Sequence, residues 1–428
     1  MAPKMDVDQS DASVYLTRQL SSPSLPHELK PFYQAFERFY NNKLWYQLTS
    51  TIENFLQVPS SGPYQIELWE SFVSTFAQRI NQLKLITIGI STARQFSGVV
   101  EHGTQGLHFL TRLAGKVDTP ETREAYVLAT MEAAYFKLLL GDNEGTKIAI
   151  DTCAKVLDAM DSVDLVVHAS YYRVAGDYYK LTTPSRHFAQ AKAEYADYYK
   201  NSLLYLACVT VDKDLTLPER VQRAHDLAIS ALLGKIYNFG ELVRLGHVGE
   251  MVGGLGTDDR SLSAYIQLMH PILDSLNGTE YAPIKNLLFA FNAGDIGQFE
   301  SLSHAIAQEP ILQENYSTLR QKICLMALIE AVFRRPTSER VLPFSVIAAD
   351  TRLPIDEVEH LVMKALSLKL IRGTLDQVSS TTSISWVQPR VLDKVQIAGL
   401  RDRLAGWTDQ VTSVGEFTQS QAPELFAQ

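Results

Sequence analysis

Residues 353–388 decide the fold of the C-terminal part of the chain, and they read LPIDEVEHLVMKALSLKLIRGTLDQVSSTTSISWVQ. From 356 to 370 the apolar residues recur at intervals of three and four, which predicts an amphipathic helix. The interval then becomes two, which predicts strands over 370–375 and 382–388 around a polar turn. This part of the chain is therefore expected to form a helix followed by a β-hairpin.

The residues before and within this hairpin complete a recognisable pattern. A short helix is predicted over 342–351, so the order is helix, turn, helix and hairpin, which is typical of a winged helix. In the second strand, Ile384 and Trp386 are expected on one face of the sheet, with Ser383 and Ser385 on the other. The sequence therefore predicts a winged-helix module.

Upstream, from 31 to about 335, short polar turns break a 3.6-residue apolar period, and strand-like alternation is almost absent. Gly-Asp pairs that begin at Gly141, Gly176 and Gly294 are expected to end one helix and cap the next, and the first two are 35 residues apart. That spacing is close to the ~34-residue period of tetratricopeptide-like helix pairs. We expect a mostly α protein built as a right-handed stack of helical hairpins; the alternative is that Gly-Asp is only a common turn dipeptide. The individual helices are predicted over 64–80, 83–95, 106–117, 121–140, 144–160 and 162–181, after two aromatic-rich helical segments within 32–56.

A last helix is predicted over 391–414. Its apolar residues alternate steps of three and four, the spacing of a heptad seam: Ile397, Leu400, Leu404, Trp407, Val411 and Val414. Once the winged helix has packed, no other part of the chain remains to cover this seam. The pattern favours an external partner, with docking onto its own domain as the alternative.

Charge and composition exclude several classes of protein. The 428 residues include 39 Lys and Arg against 48 Asp and Glu, a net charge of −9, and 46% are hydrophobic. An acidic chain lacks the surplus of cations that holds a phosphate backbone, and residues 337–413 are neutral overall. The longest apolar runs reach less than half of the ~20 residues of a membrane helix, and the first ten residues lack the apolar core of a signal peptide. We expect a globular protein that binds neither nucleic acid nor membrane and is not exported.

No residue pattern predicts catalysis, a cofactor or a metal. Cys153, Cys208 and Cys324 are far apart, and none has the surroundings of a nucleophile. The acidic residues that open helix 356–370, with His360, resemble a metal site, but carboxylates at a helix start are explained by the helix dipole. Paired tyrosines within 171–199 are interpreted as packing between helices, with base stacking as the alternative.

Three segments are expected to be flexible: 1–30, the glycine-rich 236–267 and 415–428. A phosphate-binding loop is the alternative for the glycine-rich segment, but no predicted strand precedes its glycines and the third glycine of that motif is absent.

Six stretches of the sequence resemble a known family. They are FYNNKLWYQL at 39–48, YNFGEL at 237–242, LMHPIL at 268–273, LFAFNAGD at 288–295, EVEHLVMKAL at 357–366 and WVQPRVL at 386–392. Together they resemble the PCI-domain non-ATPase subunits of the proteasome regulatory lid, of the subunit 13 type, and the similarity runs from about 32 to 414. In that family YNFGEL runs almost directly into LMHPIL, whereas the 25 residues 243–267 lie between them here. The segment is interpreted either as a lineage insertion or as an incorrectly retained segment of the gene model, and we hypothesise that function survives its removal.

The resemblance implies a domain order and a role. A helical-repeat arm over 31–235 would lead into the helical part of the PCI domain at 268–336, the winged helix at 337–390 and the C-terminal helix at 391–414. The family resemblance implies a non-catalytic scaffold of the cytoplasm and nucleus, in a hetero-oligomer with other lid subunits, the deubiquitinase module and the ubiquitin receptor subunit. Winged-helix sheet edges would line up with those of neighbours, and the C-terminal helix would join a bundle of lid helices. The residues predicted to make these contacts are the seam and an edge strand of Ser383, Ile384, Ser385, Trp386 and Val387.

The alternatives left open are a PCI scaffold subunit of the signalosome or of the translation-initiation complex and, from a different class, a winged-helix nucleic-acid-binding adaptor. The adaptor would need a basic surface assembled from distant residues.

Overall fold

The computed structural model describes residues 7–22, 25–95, 100–182, 188–239, 272–335, 339–389 and 394–421. The chain divides into two compact units, Met1–Leu215 and Thr216–Gln428. The insertion predicted over 243–267 lies outside the described residues. Among the described helices, none is long and apolar enough to cross a membrane.

The described part of the first unit is helical throughout, in agreement with the predicted stack of helices. Its helices are α1 (Val7–Ser21), α2 (Lys30–Asn41), α3 (Trp45–Gln57), α4 (Gly62–Leu68), α5 (Ser74–Phe76), α6 (Gln82–Arg94), α7 (Val100–Lys116), α8 (Arg123–Leu139), α9 (Asn143–Asp158), α10 (Leu165–Thr182), α11 (Phe188–Cys208) and α12 (Val211–Asp214).

Aromatic rings fill the core at the start of this unit. The Tyr33 and Phe36 rings of α2 meet the Phe55 ring of α3 edge-on at 5.7 and 5.6 Å, and the Phe36 and Phe72 rings are 6.0 Å apart. Edge-on aromatic pairs add to the stabilisation that burial of the rings already provides. These residues have no exposed surface, so the aromatic-rich segments of the sequence form a core.

Helix α1 corrects the prediction of a flexible segment over 1–30. It packs on α2, and its Ala12, Tyr15 and Leu16 side chains are buried. The segment was assigned as flexible because its sequence is mostly polar, and only a few apolar side chains contact the core.

The Gly-Asp pairs divide into two that end helices and one that does not. Gly141 and Gly294 have positive φ angles of 84° and 65°, and Asp142 and Asp295 cap the following helices through their side chains, as predicted. Gly176, in contrast, lies inside α10. A Cβ there would be 3.7 Å from the Ser202 hydroxyl of α11, an ordinary van der Waals contact, so packing does not require a glycine at this position. The 35-residue spacing therefore does not mark a structural repeat.

The paired tyrosines belong to the packed interior of the first unit. Tyr198 and Tyr199 are buried, and Tyr171 and Tyr178 are half-buried against the core. The packing interpretation is confirmed for these four residues.

The second unit begins one helix earlier than predicted. Helix α13 (Leu217–Leu233) was assigned to the arm, but it packs on the 3₁₀ turn Ile272–Leu276 and on later helices of the second unit. Its start carries a capping box, in which the Thr216 backbone N–H donates to the Glu219 carboxylate at 3.0 Å. The motif that marks this helix start is visible in the sequence, but the unit to which the helix belongs is decided by distant contacts.

The remaining elements of the second unit are α14 (Ala282–Ala293), α15 (Ile296–Ser301), α16 (Ser303–Gln308), α17 (Pro310–Glu314), α18 (Tyr316–Arg334), β1 (Val341–Pro343), α19 (Phe344–Thr351), α20 (Ile355–Ser367), β2 (Ile371–Asp376), β3 (Thr381–Val387) and α21 (Lys394–Gln421). Helices α19 and α20 with the three strands form the predicted winged helix.

Helix α18 is the central element of this unit, and a buried lysine ties it to α13. The Lys322 ammonium donates to the carbonyl oxygens of Ala231, Leu232 and Gly234 at 2.7, 2.9 and 2.8 Å. Three carbonyls need three N–H donors, which only the ammonium form has. The Phe239 ring, 4.9 Å away, adds a cation–π contact. Burial lowers the pKa of Lys322 well below its usual value, and these partners oppose that effect.

Candidate protein-interaction surfaces

The winged-helix sheet has the strand order β1-β3-β2, so β3 is its central strand. The prediction that residues 383–387 form an edge strand is therefore wrong. Val341 pairs with Ser383, and the Ile384 N–H donates to the Arg340 carbonyl at 2.9 Å. Residues 341–343 were predicted to be partly helical, but Pro343 disfavours the helical conformation of the residue before it. That signal could have identified the first strand.

A β-bulge changes which side chains of β3 face the core. Arg372 pairs with Trp386 and Gly373 pairs with Ile384, so Ser385 is an extra residue in β3. Because of the bulge, Ile384 and Val387 are both buried, while Trp386 is half-exposed and Ser385 is exposed. The prediction that Ile384 and Trp386 share a face is wrong, because it assumed unbroken alternation.

Gly373 is required at this bulge. A Cβ at Gly373 would be 2.1 Å from the Ser383 carbonyl oxygen, which no side chain can accommodate without moving the strands. The glycine therefore sets the register that places Trp386 on the outer face.

The outer face of the sheet carries a tryptophan, a cation and an exposed aliphatic residue. The Arg372 guanidinium lies 4.7 Å from the centre of the Trp386 ring, and Val341 is 59% exposed. Strand β2 pairs only with β3 among the described strands, so its other side is an edge. An unpaired edge can accept a strand from another chain. Strand β2, and not β3, is the edge that fits strand addition.

Helix α21 has no buried side chain among its residues 398–421. The five seam residues from Leu400 to Val414 are between 43% and 65% exposed, and no side chain among the residues that the structure describes buries them. The Ile397 side chain lies outside the described set. Phe417, 66% exposed, is not among the predicted seam residues, because the steps of three and four that lead to Val414 continue to position 418 and not to 417. The helix continues to Gln421, so the prediction of a flexible tail from 415 is wrong up to that residue.

An isolated helix of this composition needs a partner. Gly399 and Gly406 each lower helix propensity by roughly 1 kcal/mol relative to Ala. A Cβ at either position would have no neighbour within 4 Å in the described structure, so neither glycine serves packing inside this chain. An amphipathic helix owes most of its stability to burial of its apolar face.

Helix α20, the counterpart of a nucleic-acid reading helix, buries one face and exposes acids on the other. Val358, Leu361, Val362 and Ala365 pack inward, while Asp356 is exposed in the first turn together with Glu357. Negative charge in this position repels phosphates and stabilises the helix N-terminus.

The described residues contain no group of three or more His, Cys, Asp and Glu side chains that could hold a metal ion. Burial raises the pKa of the Cys153 thiol to about 12, and it also raises the pKa of the Cys324 thiol above its usual value. Both thiols are therefore poor sources of the thiolate that a cysteine nucleophile needs.

Comparison with known proteins identifies the two parts of the chain. A family profile described as PSD13 N-terminal repeats matches residues 32–248, and one described as the PCI domain matches residues 299–386. The "Probable 26S proteasome regulatory subunit rpn9" of Schizosaccharomyces pombe is 35% identical over 426 residues, which cover 100% of both chains. The "26S proteasome non-ATPase regulatory subunit 13 homolog B" of Arabidopsis thaliana is 37% identical over 94% of this chain and 96% of its own length.

A more limited similarity involves translation. The "Eukaryotic translation initiation factor 3 subunit M" of Neosartorya fischeri is 30% identical over 132 residues, which cover 30% of this chain and 28% of that protein. A short match of this kind is expected between proteins that share one module. Because the repeats, the PCI domain and the full-length relatives agree, the chain belongs to the family of 26S proteasome non-ATPase regulatory subunit 13 (Rpn9) proteins.

Proposed function

We propose that this protein is a non-catalytic structural subunit of the proteasome regulatory particle lid, which supports lid assembly and ubiquitin-dependent protein degradation. The observation that carries the proposal is α21, a 28-residue helix whose apolar seam nothing in the described chain covers, in a member of this family. A scaffold needs surfaces that are completed by other chains, and α21 is such a surface.

Burial of the exposed apolar side chains of α21 is a source of free energy for assembly. Full burial of a large apolar side chain contributes about 1.5–3 kcal/mol, and six such side chains from Leu400 to Phe417 are exposed here. Part of that energy is offset by the entropy lost on association. The seam alternates steps of three and four, so the partner it fits is another helix, or several, with a matching seam.

The winged-helix sheet supplies a second contact. We place it at the free edge of β2 and at the outer face formed by Arg372, Trp386 and Val341. Main-chain hydrogen bonds to β2 would provide affinity, and the Trp386 ring would provide a large, rigid contact of the kind that dominates interfaces. The predicted contact residues Ser383 and Ser385 are exposed on the sheet. Ile384 and Val387 are buried, so they would not touch a partner and would contribute only by packing β3 against the core.

The partners and the compartment follow from the family resemblance. They are other PCI-domain lid subunits, the zinc deubiquitinase module and the ubiquitin receptor subunit, in the cytoplasm and nucleus. Support for a purely structural role comes from the buried thiols and from the described residues, which lack a metal-binding cluster.

Truncation tests the proposal. A tagged chain that ends at Gln388 lacks α21 but keeps all three strands of the sheet, and a chain that ends at Gln421 is the matched control. Native pull-down with subunit identification should recover lid and proteolytic subunits with the control and not with the shorter chain. The shorter chain should keep the helical circular dichroism of a folded body. Normal incorporation of the shorter chain would contradict the proposal.

The same pull-down separates the alternatives. Recovery of initiation-factor or signalosome subunits in place of lid subunits would favour the PCI-scaffold alternative. The short match to initiation factor 3 subunit M gives that alternative less support than the full-length relatives give the lid. A nucleic-acid adaptor would require a salt-dependent shift of labelled RNA or DNA, which the exposed acids of α20 disfavour.

A further inference from the structure

The first unit contains a groove between α3 and α6 that has no role in the proposed lid contacts. One part of it, about 400 Å³, is lined at one end by Trp45, Tyr46 and Arg79. A second part, about 350 Å³, continues past Leu56 and Ile88. The two parts adjoin at Glu53 of α3 and Lys84 of α6, whose ion pair crosses the groove between them. At a rise of 1.5 Å per residue α3 is roughly 18–20 Å long, which matches an extended peptide of about five or six residues.

The aromatic end of the groove is rigid on one side and exposed on the other. The Trp45 ring stacks on the Phe76 ring at 5.8 Å and meets the Tyr40 ring edge-on at 6.0 Å, so it is held in place. Tyr46, next to it, is 83% exposed, more than any other described aromatic side chain. A fixed ring beside an exposed one is a suitable anchor for an apolar side chain of a partner, because little conformational entropy is lost on binding.

The charge of the groove is opposite to that of the protein. Its lining contains Arg79 and Lys84 against a single acid, Glu53, whereas the whole chain has a net charge of −9. Lys84 pairs with Glu53 at 2.8 Å. The Arg79 guanidinium lies 5.4 Å from the centre of the Trp45 ring and makes no ion pair with any residue that the structure describes. A free guanidinium at the rim of an apolar groove is complementary to a carboxylate.

We propose that the α3–α6 groove binds a short peptide segment of another protein, in which an aromatic or aliphatic residue is followed by Asp or Glu. The apolar side chain packs on Trp45 and Tyr46, and the carboxylate pairs with Arg79. The groove belongs to the first unit, whereas the winged helix and α21 belong to the second.

A peptide selection on the purified full-length chain tests this proposal. A phage-displayed random peptide library should yield peptides that carry carboxylates beside aromatic or aliphatic residues. An enriched peptide, synthesised with a fluorescent label, should bind at least tenfold more weakly to Arg79→Glu in fluorescence anisotropy, and selection on that variant should favour basic peptides. Arg112→Glu, an exposed cation of α7 outside the groove, is the matched control and should bind like the wild type. Tyr46→Ser, at a site too exposed to affect folding, should also weaken binding.

Several results would overturn the proposal. These are the absence of enriched peptides, enriched peptides without carboxylates, or equal loss of binding in Arg79→Glu and Arg112→Glu. Self-association that Arg79→Glu abolishes in analytical ultracentrifugation would assign the groove to a second copy of the chain. Displacement of the peptide by RNA would assign it to nucleic acid. If the circular dichroism of Arg79→Glu differs from that of the wild type, this variant is misfolded, and peptide binding by Tyr46→Ser is used in its place to test the proposal.

Discussion

Two helices of the second unit, α18 and α21, show opposite ways of using apolar residues. Helix α18 has 19 residues, and 11 of them are buried, including Lys322 and Glu330, so the chain itself surrounds the helix. Helix α21 has 28 residues, and none of those from 398 to 421 is buried. The first helix completes a core within the chain, and the second carries apolar residues that no described residue of the chain buries. Apolar spacing alone therefore does not distinguish an internal helix from one made for assembly.

The comparison predicts that changes in α18 destabilise the chain itself, and the largest effect is expected at Lys322. Lys322→Met keeps most of the side-chain volume but leaves three buried carbonyl oxygens without donors. We expect a loss of about 3 kcal/mol in the free energy of unfolding, measured by urea titration. Arg320→Met, an exposed position on the same helix, is the control and should change stability by less than ~0.5 kcal/mol. Equal effects of the two substitutions would contradict a structural role for the ammonium.

A smaller loss is expected where α14 approaches α18. Gly294 has a φ of 65°, and a Cβ there would be 2.8 Å from the Ala327 Cα of α18. Gly294→Ala should therefore cost about 2–3 kcal/mol, from the left-handed conformation and from the overlap. Gly278 also has a positive φ, 76°, but a Cβ there meets nothing within 4 Å, so Gly278→Ala should cost only about 1 kcal/mol. Thermal and urea unfolding of the two variants would measure the contribution of the close approach.

The third prediction concerns pH and His225 of α13. Its ring is 3.5 Å from the Asp226 carboxylate and 3.4 Å from that of Glu309, and it lies tilted against the Tyr281 ring, with the ring centres 4.3 Å apart. Burial lowers the pKa of His225, but the two carboxylates outweigh burial, and the pKa is raised above its usual value. A raised pKa means that the stabilisation is fully present below the pKa of an unfolded histidine and is lost as pH rises through the pKa in the folded protein.

The free energy of unfolding of the wild type should therefore decrease between about pH 6 and pH 8 by roughly 0.5–1 kcal/mol relative to His225→Gln. His304→Gln, at an exposed position, should keep the wild-type slope. A slope shared by all three proteins would show that His225 is not its source.

Substitutions in the seam of α21 are predicted to change stability least, although they should abolish assembly. Leu404→Asp combined with Trp407→Asp should change the free energy of unfolding of the isolated chain by less than ~0.5 kcal/mol, because both side chains are already exposed. The same variant should fail to join the lid in a native pull-down. Ala398→Asp with Ala405→Asp, on the opposite face of the helix, should assemble normally. Destabilisation of the isolated chain by the seam variant would mean that α21 packs on its own chain.

Much of the local structure could be predicted from the residues. The winged helix follows from the change of period between 356–370 and 370–388, and α21 follows from its seam. The bulge at Ser385 could not be predicted, because one extra residue in β3 is defined only by its pairing with β2. The same holds for Gly176, where the dipeptide that ends two other helices lies inside α10.

The candidate contact surfaces were predicted in part. The seam of α21 is exposed as its spacing suggested, yet Phe417 extends the apolar surface beyond the repeat. The edges of the described sheet are β1 and β2 and not β3, because the short strand Val341–Pro343 pairs with the other side of β3. A three-residue strand leaves almost no periodic signal. The α3–α6 groove has no sequence signature, since its walls come from two separate helices.

The sequence by itself determined the elements: helical periods along most of the chain, one change to a period of two, and a final helix with an apolar seam. These are local properties, set by the 3.6- and two-residue periods of the backbone. The tertiary structure decided which apolar faces are covered within the chain and which remain exposed. That outcome depends on contacts between residues far apart in sequence, such as Lys322 with Leu232, and on the lack of such contacts around α21 in the described structure. The function proposed for the protein depends on that difference.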